Sequence, residues 1–173
     1  DDIQGFRDHL AHHAPPETAR VAASALPIGS PGSFRYPASE RRHFERMARF
    51  PAGYLVLGDA LCSLNPVYGQ GMTLAACEAV VLRQCLKQGP DKLAPRFFKA
   101  VAGKISQAWD ITQHSDLALP MVVGLRPFGF SLMCRYLDRV VLAAKTDLKI
   151  ARALLSVIHL ITPPVSLLHP ATV

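Results

Sequence analysis

The sequence predicts an α/β fold in which one strand feeds a ligand-type loop and a helix, followed by a mostly helical C-terminal region. Three observations carry that expectation. An apolar run, YLVL at residues 54–57, leads straight into Gly58-Asp59; Gly69-Gln70-Gly71 then opens a helix across a Pro-bearing loop; and residues 90–173 are dominated by apolar positions at helical spacing. The chain has 173 residues, half of them hydrophobic, which is enough to bury a single-domain core.

The first region, residues 1–50, opens on a helix, DIQGFRDHLAHH, breaks at Pro15-Pro16 and resumes helically through ETARVAASAL. The Gly/Pro/Ser loop PIGSPGS leads into a short extended piece, SFRYP. The basic stretch ERRHFERMARF alternates Arg41, Arg42, Arg46 and Arg49 with Glu40 and Glu45, the pattern of a solvated helix face. Because the remaining basic residues are dispersed, the net charge of +6 does not build a nucleic-acid stripe, and no nucleic-acid partner is expected.

The second region, residues 51–89, holds the strand, the loop GDALCSLNPVYGQ and a helix from Gly71 to about Gln88, stopped by Gly89-Pro90. Asp59 stands at the strand tip, where an acid accepts hydrogen bonds from ligand hydroxyls. Gly69 and Gly71 carry no Cβ, so the backbone can approach a flat or charged group, and a helix start there aims unpaired N–H groups at it. Ala75, Ala76 and Ala79 keep the helix thin. A tight strand-to-helix turn with an ordinary Asp is the plainer reading of any lone Gly-Asp pair, but it leaves the rest of the string unexplained.

The third region, residues 90–173, contains one or two helices in DKLAPRFFKAVAGKISQAWDITQHSD, then FSLMCRYLDRVVLAAK and DLKIARALLSVIHLI. In the last, Ile150, Leu154, Val157, Ile158 and Ile161 share one face, opposite Lys149, Arg152, Ser156 and His159. Core packing explains these faces better than a substrate tunnel or a membrane surface. Pro163-Pro164 ends the pattern. The most apolar runs are shorter than the roughly 20 residues a span requires, so no transmembrane segment is expected.

Other constellations are weaker. His9, His12 and His13 have helical spacing without a third ligand of suitable placement, so no metal is expected. Ser63 lacks a G-x-S-x-G setting or a placed base. Phe97-Phe98 and Trp109 read as core, and Cys62, Cys77, Cys85 and Cys134, with no C-x-x-C pair and no signal peptide ahead of them, read as reduced residues of a cytoplasmic protein.

Taken as one string, GDALCSLNPVYGQGMTLAACEA resembles the second flavin-binding motif of the FAD-dependent monooxygenases of the para-hydroxybenzoate hydroxylase type. The version with Asn65-Pro66-Val67-Tyr68-Gly69-Gln70-Gly71-Met72-Thr73 is closer to the epoxidase-like branch than to the aromatic hydroxylases, which often have Ala-His where this chain has Leu61-Cys62. The resemblance implies the C-terminal portion of a FAD/NAD(P)-binding fold, with a closing parallel strand at residues 54–57 and a substrate-domain remnant before it. It also implies a cofactor-binding set of Gly58, Asp59, Pro66, Gly69, Gln70, Gly71 and Met72. In this set Asp59 holds the ribityl chain, Pro66 lies beside the isoalloxazine ring, and the Gly69-to-Met72 backbone donates toward its pyrimidine side.

The implied activity is oxygen insertion into a small apolar organic substrate, by epoxidation or hydroxylation, with FAD as cofactor, NAD(P)H as reductant and molecular oxygen as co-substrate; no catalytic acid or base is singled out. A reductase or dehydrogenase of the same superfamily, and a non-catalytic helical interaction fragment, remain as alternatives. No G-x-G-x-x-G strand-turn-helix for the adenosine half occurs: PIGSPGS is interrupted by Pro27 and Pro31. The expectation is therefore that the adenosine-binding half lies outside this chain, which alone binds FAD poorly and is inactive, and that the strand is unpaired, remodelled or completed by another chain.

Overall fold

A computed structural model describes residues 2–168. Contacts divide the chain between Pro37 and Ala38 into two compact units. In the first, α1 (Ile3–His13) and α2 (Pro16–Ser24) pack as a helical pair. Asp2 caps α1 by accepting from the Gly5 N–H at 2.6 Å, and Pro16 occupies the first position of α2, where a missing N–H costs nothing. Arg7 reaches across the pair, donating to Ala22 O and Ala25 O at 3.1 and 2.9 Å, and so satisfies carbonyls at the end of α2.

The second unit is built from four long helices: α3 (Gln70–Leu86), α4 (Leu93–Ala118), α5 (Phe130–Ala144) and α6 (Leu148–Ile158). Strand content among the described residues is confined to β1 (Glu40–Arg41) and β2 (Cys62–Ser63), paired antiparallel with Glu40 opposite Ser63. This overturns the expected α/β class: no parallel sheet, and so no closing parallel strand of a FAD/NAD(P)-binding fold, is formed. Residues 54–57 are extended at their end, with Leu57 at φ −140° and ψ 161°, but enter no ladder. An apolar extended run becomes a strand only when a neighbour supplies N–H and C=O partners, and none of the described residues does so.

The basic stretch after Ser39 also departs from the expected helix face. Residues 40–41 form β1 and Phe44–Arg46 a single 3-10 turn. Phe44 is the cause: its ring stacks on Phe98 at 5.3 Å and meets Phe50 edge-on at 5.7 Å, which fixes the backbone against α4 in place of a free helix.

The main core lies between α3 and α4. Phe97, Phe98, Val101 and Ile105 of α4 are fully buried with Leu61, Leu74 and Val56. Each such side chain stabilises the fold by about 1.5–3 kcal/mol relative to exposure. The α4 segment, expected as one or two helices, is one helix of 26 residues, because Pro95 falls within its first turn and Pro120 lies beyond its end. A smaller cluster, Val140, Val157 and Leu167, joins α5 and α6 to the turn at Pro164–Leu168.

Of the expected apolar face on the last helix, Val157 is buried, whereas Ile161 is 72 % exposed. The helix ends at Ile158, and Leu160, at φ +57°, turns the chain so that its own side chain enters the core. The carbonyls freed at that end are met by Gln70 Nε2 to Ile158 O (2.8 Å), Lys104 Nζ to Leu160 O (2.6 Å) and Gln107 Nε2 to Thr162 O (2.7 Å). A lysine ammonium there also complements the negative helix end. No helix among the described residues is long and apolar enough to cross a membrane.

Candidate functional site

The Gly58–Met72 segment is a chain of tight turns, each with a local cause. Gly58 takes φ +60°, a left-handed conformation that favours glycine, and the 3-10 turn Gly58–Ala60 closes with Leu61 N–H donating to Gly58 O at 2.8 Å. After β2, Asn65 caps the second turn, Pro66–Tyr68, by accepting from Val67 N–H at 3.1 Å. Gly69, at φ +63°, then reverses the chain into α3.

No side chain caps α3, so the N–H groups of its first turn have no partner from a capping residue. Asp59 is set beside that helix start: its Oδ1 lies 3.8 Å from the place a Cβ would occupy on Gly71. An exposed carboxylate is thereby held next to the positive end of a helix dipole.

Side chains from elsewhere in the fold hold this segment, Ser39 Oγ among them, accepting from the Asn65 N–H at 3.1 Å. Glu78, one per cent exposed on α3, accepts from the Gly58 N–H through Oε2 at 2.6 Å, while its Oε1 is buried without a partner among the described residues. Burial pushes the Glu78 carboxyl above its ordinary value; the Gly58 N–H opposes that rise, and the nearby Asp59 charge adds to it. Arg42 donates to Asp59 O (3.4 Å) and Ala60 O (3.1 Å) while pairing with Glu40 at 2.6 Å. Tyr68 Oη donates to Asp116 Oδ1 on α4 at 2.6 Å, and Asn65 Nδ2 reaches the same oxygen at 3.4 Å. Burial, then the bond to Asp116, push the Tyr68 hydroxyl up to about 12, so it remains a donor at neutral pH.

The sequence-predicted residues are therefore brought together, with a division of roles. Asp59, Pro66, Gly69 and Met72 are exposed, and Gly58 and Gly71 are half-buried. Gln70 differs: its side chain is buried and bonded to Ile158 O, so only its backbone faces the helix start. Glu78 carries a sequence signal that the reading above did not use, a lone acid within the small and apolar run TLAACEAVV. Asp116 lies 48 residues from Tyr68, and no local pattern marks it. On α1, the His9 and His13 rings lie 4.5 Å apart. No group of three or more potential ligands able to hold a metal occurs among the described residues.

No family model matches the chain. It is similar to Protein Rv3254 of Mycobacterium tuberculosis (strain ATCC 25618 / H37Rv), with 34 % identity over 157 residues, covering 85 % of this chain and 31 % of that protein. The chain thus spans about a third of the length of the relative it matches.

Proposed function

We propose that this chain contributes the flavin-side contacts of a FAD-dependent monooxygenase acting on a small apolar organic substrate. The observation that carries the reading is the placement of the Asp59 carboxylate beside the uncapped start of α3 at Gly71, with no side chain from Gly69 or Gly71 between them. Such a site offers an acceptor for polyol hydroxyls and, a few ångströms away, N–H donors for a ring edge that becomes anionic on reduction. Residues Asp59, Pro66 and the backbone of Gly69 to Met72 would hold FAD. Bound there, FAD would supply the redox chemistry, taking reducing equivalents from NAD(P)H and using molecular oxygen for epoxidation or hydroxylation. The protein's share is to bind and orient the ring and to hold the Asp59 carboxyl beside the start of α3. The adenosine-side contacts and the substrate domain belong, in this reading, to residues outside the chain, and the enzyme is cytoplasmic.

A second reading, a helical interaction module, is favoured by an open apolar groove of ≈ 680 Å³ along the outer face of α3, lined by Leu57, Ala75, Ala79, Leu82 and Leu86. Flavin retention separates the two. In the whole protein, Asp59→Ala is expected to weaken FAD binding about ten-fold or more, because a charge-assisted hydrogen bond worth about 1.5–3 kcal/mol is lost. Full yellow colour after dialysis, at the wild-type dissociation constant, refutes the assignment. Dependence of product formation on oxygen then distinguishes a monooxygenase from a reductase.

A further inference from the structure

A second concavity, of ≈ 310 Å³, lies between the C-terminal part of α4 and the loop that follows it. Its lining combines Trp109 and Leu117 of α4 and Val122, Val123 and Leu125 of the loop with the polar side chains of Ser39, Gln113 and Asp116. Thr112, also in the wall, spends its hydroxyl on Ala108 O and Trp109 O and offers the cavity no donor. Asp116 Oδ1 is taken by Tyr68 and Asn65, and its Oδ2 has no protein partner among the described residues.

The loop wall is stapled, not loose. Arg126 donates to Leu117 O at 3.1 Å, Val122 O at 3.0 Å and Leu119 O at 3.3 Å, which holds residues 117–122 in a fixed arc. Gly124 closes against α4 so tightly that a Cβ there would stand 2.6 Å from Leu117 Cδ2. Yet Val123 and Leu125 are 99 % and 97 % exposed on the rim. A preformed concavity with an indole, aliphatic side chains and a few polar groups, Ser39, Gln113 and Asp116, has the composition of a small-molecule site.

We propose that this concavity binds a small ring compound bearing a hydroxyl or amino donor, which Asp116 Oδ2 accepts while the ring packs against Trp109 and Leu117. An anionic ligand is disfavoured by the carboxylate, and a purely apolar one leaves that oxygen unmet. The proposal does not depend on flavin, since none of the cavity's walls belongs to the Gly58–Met72 segment.

Trp109, the one tryptophan among these 173 residues, lines the cavity, and its signal in the whole protein is isolated as the difference between wild type and Trp109→Phe. Fluorescence titration of the whole protein with β-naphthol, and with β-methylnaphthalene as its donor-free counterpart, is the test. Saturable one-site quenching by β-naphthol is expected in the difference between wild type and Trp109→Phe, about ten-fold or more tighter than by β-methylnaphthalene. Asp116→Leu should abolish the preference between the two probes, and Gly124→Val, whose Cβ would stand 2.6 Å from Leu117 Cδ2 and so displace that wall, should weaken both. If Asp116→Leu fails to fold, the wild-type preference and the Gly124→Val result decide alone. Equal binding of the two probes, quenching that does not saturate, or Gly124→Val titrating like wild type overturns the proposal.

Discussion

Glu78 offers the sharpest test of how the Gly58–Met72 segment is held, because its substitution by Gln changes charge and almost nothing else. The carboxyl is buried, accepts one hydrogen bond at 2.6 Å and has its second oxygen unmet. Its proton affinity in the folded chain is raised above the ordinary 4.5, burial outweighing the Gly58 N–H. Between 4.5 and that raised value the folded state binds more protons than the unfolded state, so stability falls as pH rises through the window and is level above it. The slope is at most about 1.4 kcal/mol per pH unit for one group. Glu78→Gln keeps an acceptor for Gly58 N–H but cannot ionise, so the fall disappears. The variant should match wild type below 4.5 and become the more stable of the two toward neutral pH. Urea midpoints over that range, at unchanged m, measure the difference, and contributions from groups distant from Glu78 cancel in the subtraction. Parallel profiles for the two proteins, or a variant that loses ground as pH rises, would refute the reasoning.

Three further outcomes follow from other parts of the structure. Gly69→Ala forces a Cβ into φ +63° with no atom within 4 Å to clash, so it should cost about 1–2 kcal/mol through backbone strain alone, read as a lowered melting temperature. Arg96 donates to Asp91 O, Gly89 O and Cys85 O at 2.5, 2.7 and 3.0 Å and closes the α3–α4 turn; Arg96→Ala should cost about 3 kcal/mol in urea denaturation, and a loss under about 1 kcal/mol would show the three bonds to be idle. Cys62 is one per cent exposed and its thiol is pushed up to about 11, chiefly by burial, so iodoacetamide at neutral pH should label it only after unfolding, as peptide mass mapping can show.

What was legible in the sequence is what local chemistry decides. The ends of α1, α3, α5 and α6 follow from Asp2, Gly69, Gly89, Gly129 and Asp147, each a residue whose cap or left-handed preference acts within a few positions. The grouping of Asp59 with Gly71 was likewise readable, because only a dozen residues and two turns separate them. Errors arose where a partner distant in sequence decides the outcome. YLVL has strand composition but no ladder partner, and ERRHFERMARF has helical charge spacing but is captured by Phe98, more than fifty residues on. The links from Tyr68 to Asp116 and from Gln70 to Ile158 are equally non-local, and a side chain's neighbours across the fold leave no periodicity to read.

These non-local links give the segment a common design. Three bonds of 2.6–2.8 Å hold it: Gln70 Nε2, at the start of α3, donates to Ile158 O, Glu78 accepts from the Gly58 N–H, and Asp116 accepts from the Tyr68 hydroxyl. Two of these three side chains, Gln70 and Glu78, are two per cent exposed or less. Burying two such polar groups with an oxygen unmet on each is costly, and a turn whose only task is to reverse the chain has no use for it. The expense is intelligible if the outward positions, Asp59, Gly69 and Gly71, must be both bare and fixed, since a backbone that presents its own N–H groups cannot be held from the side it presents.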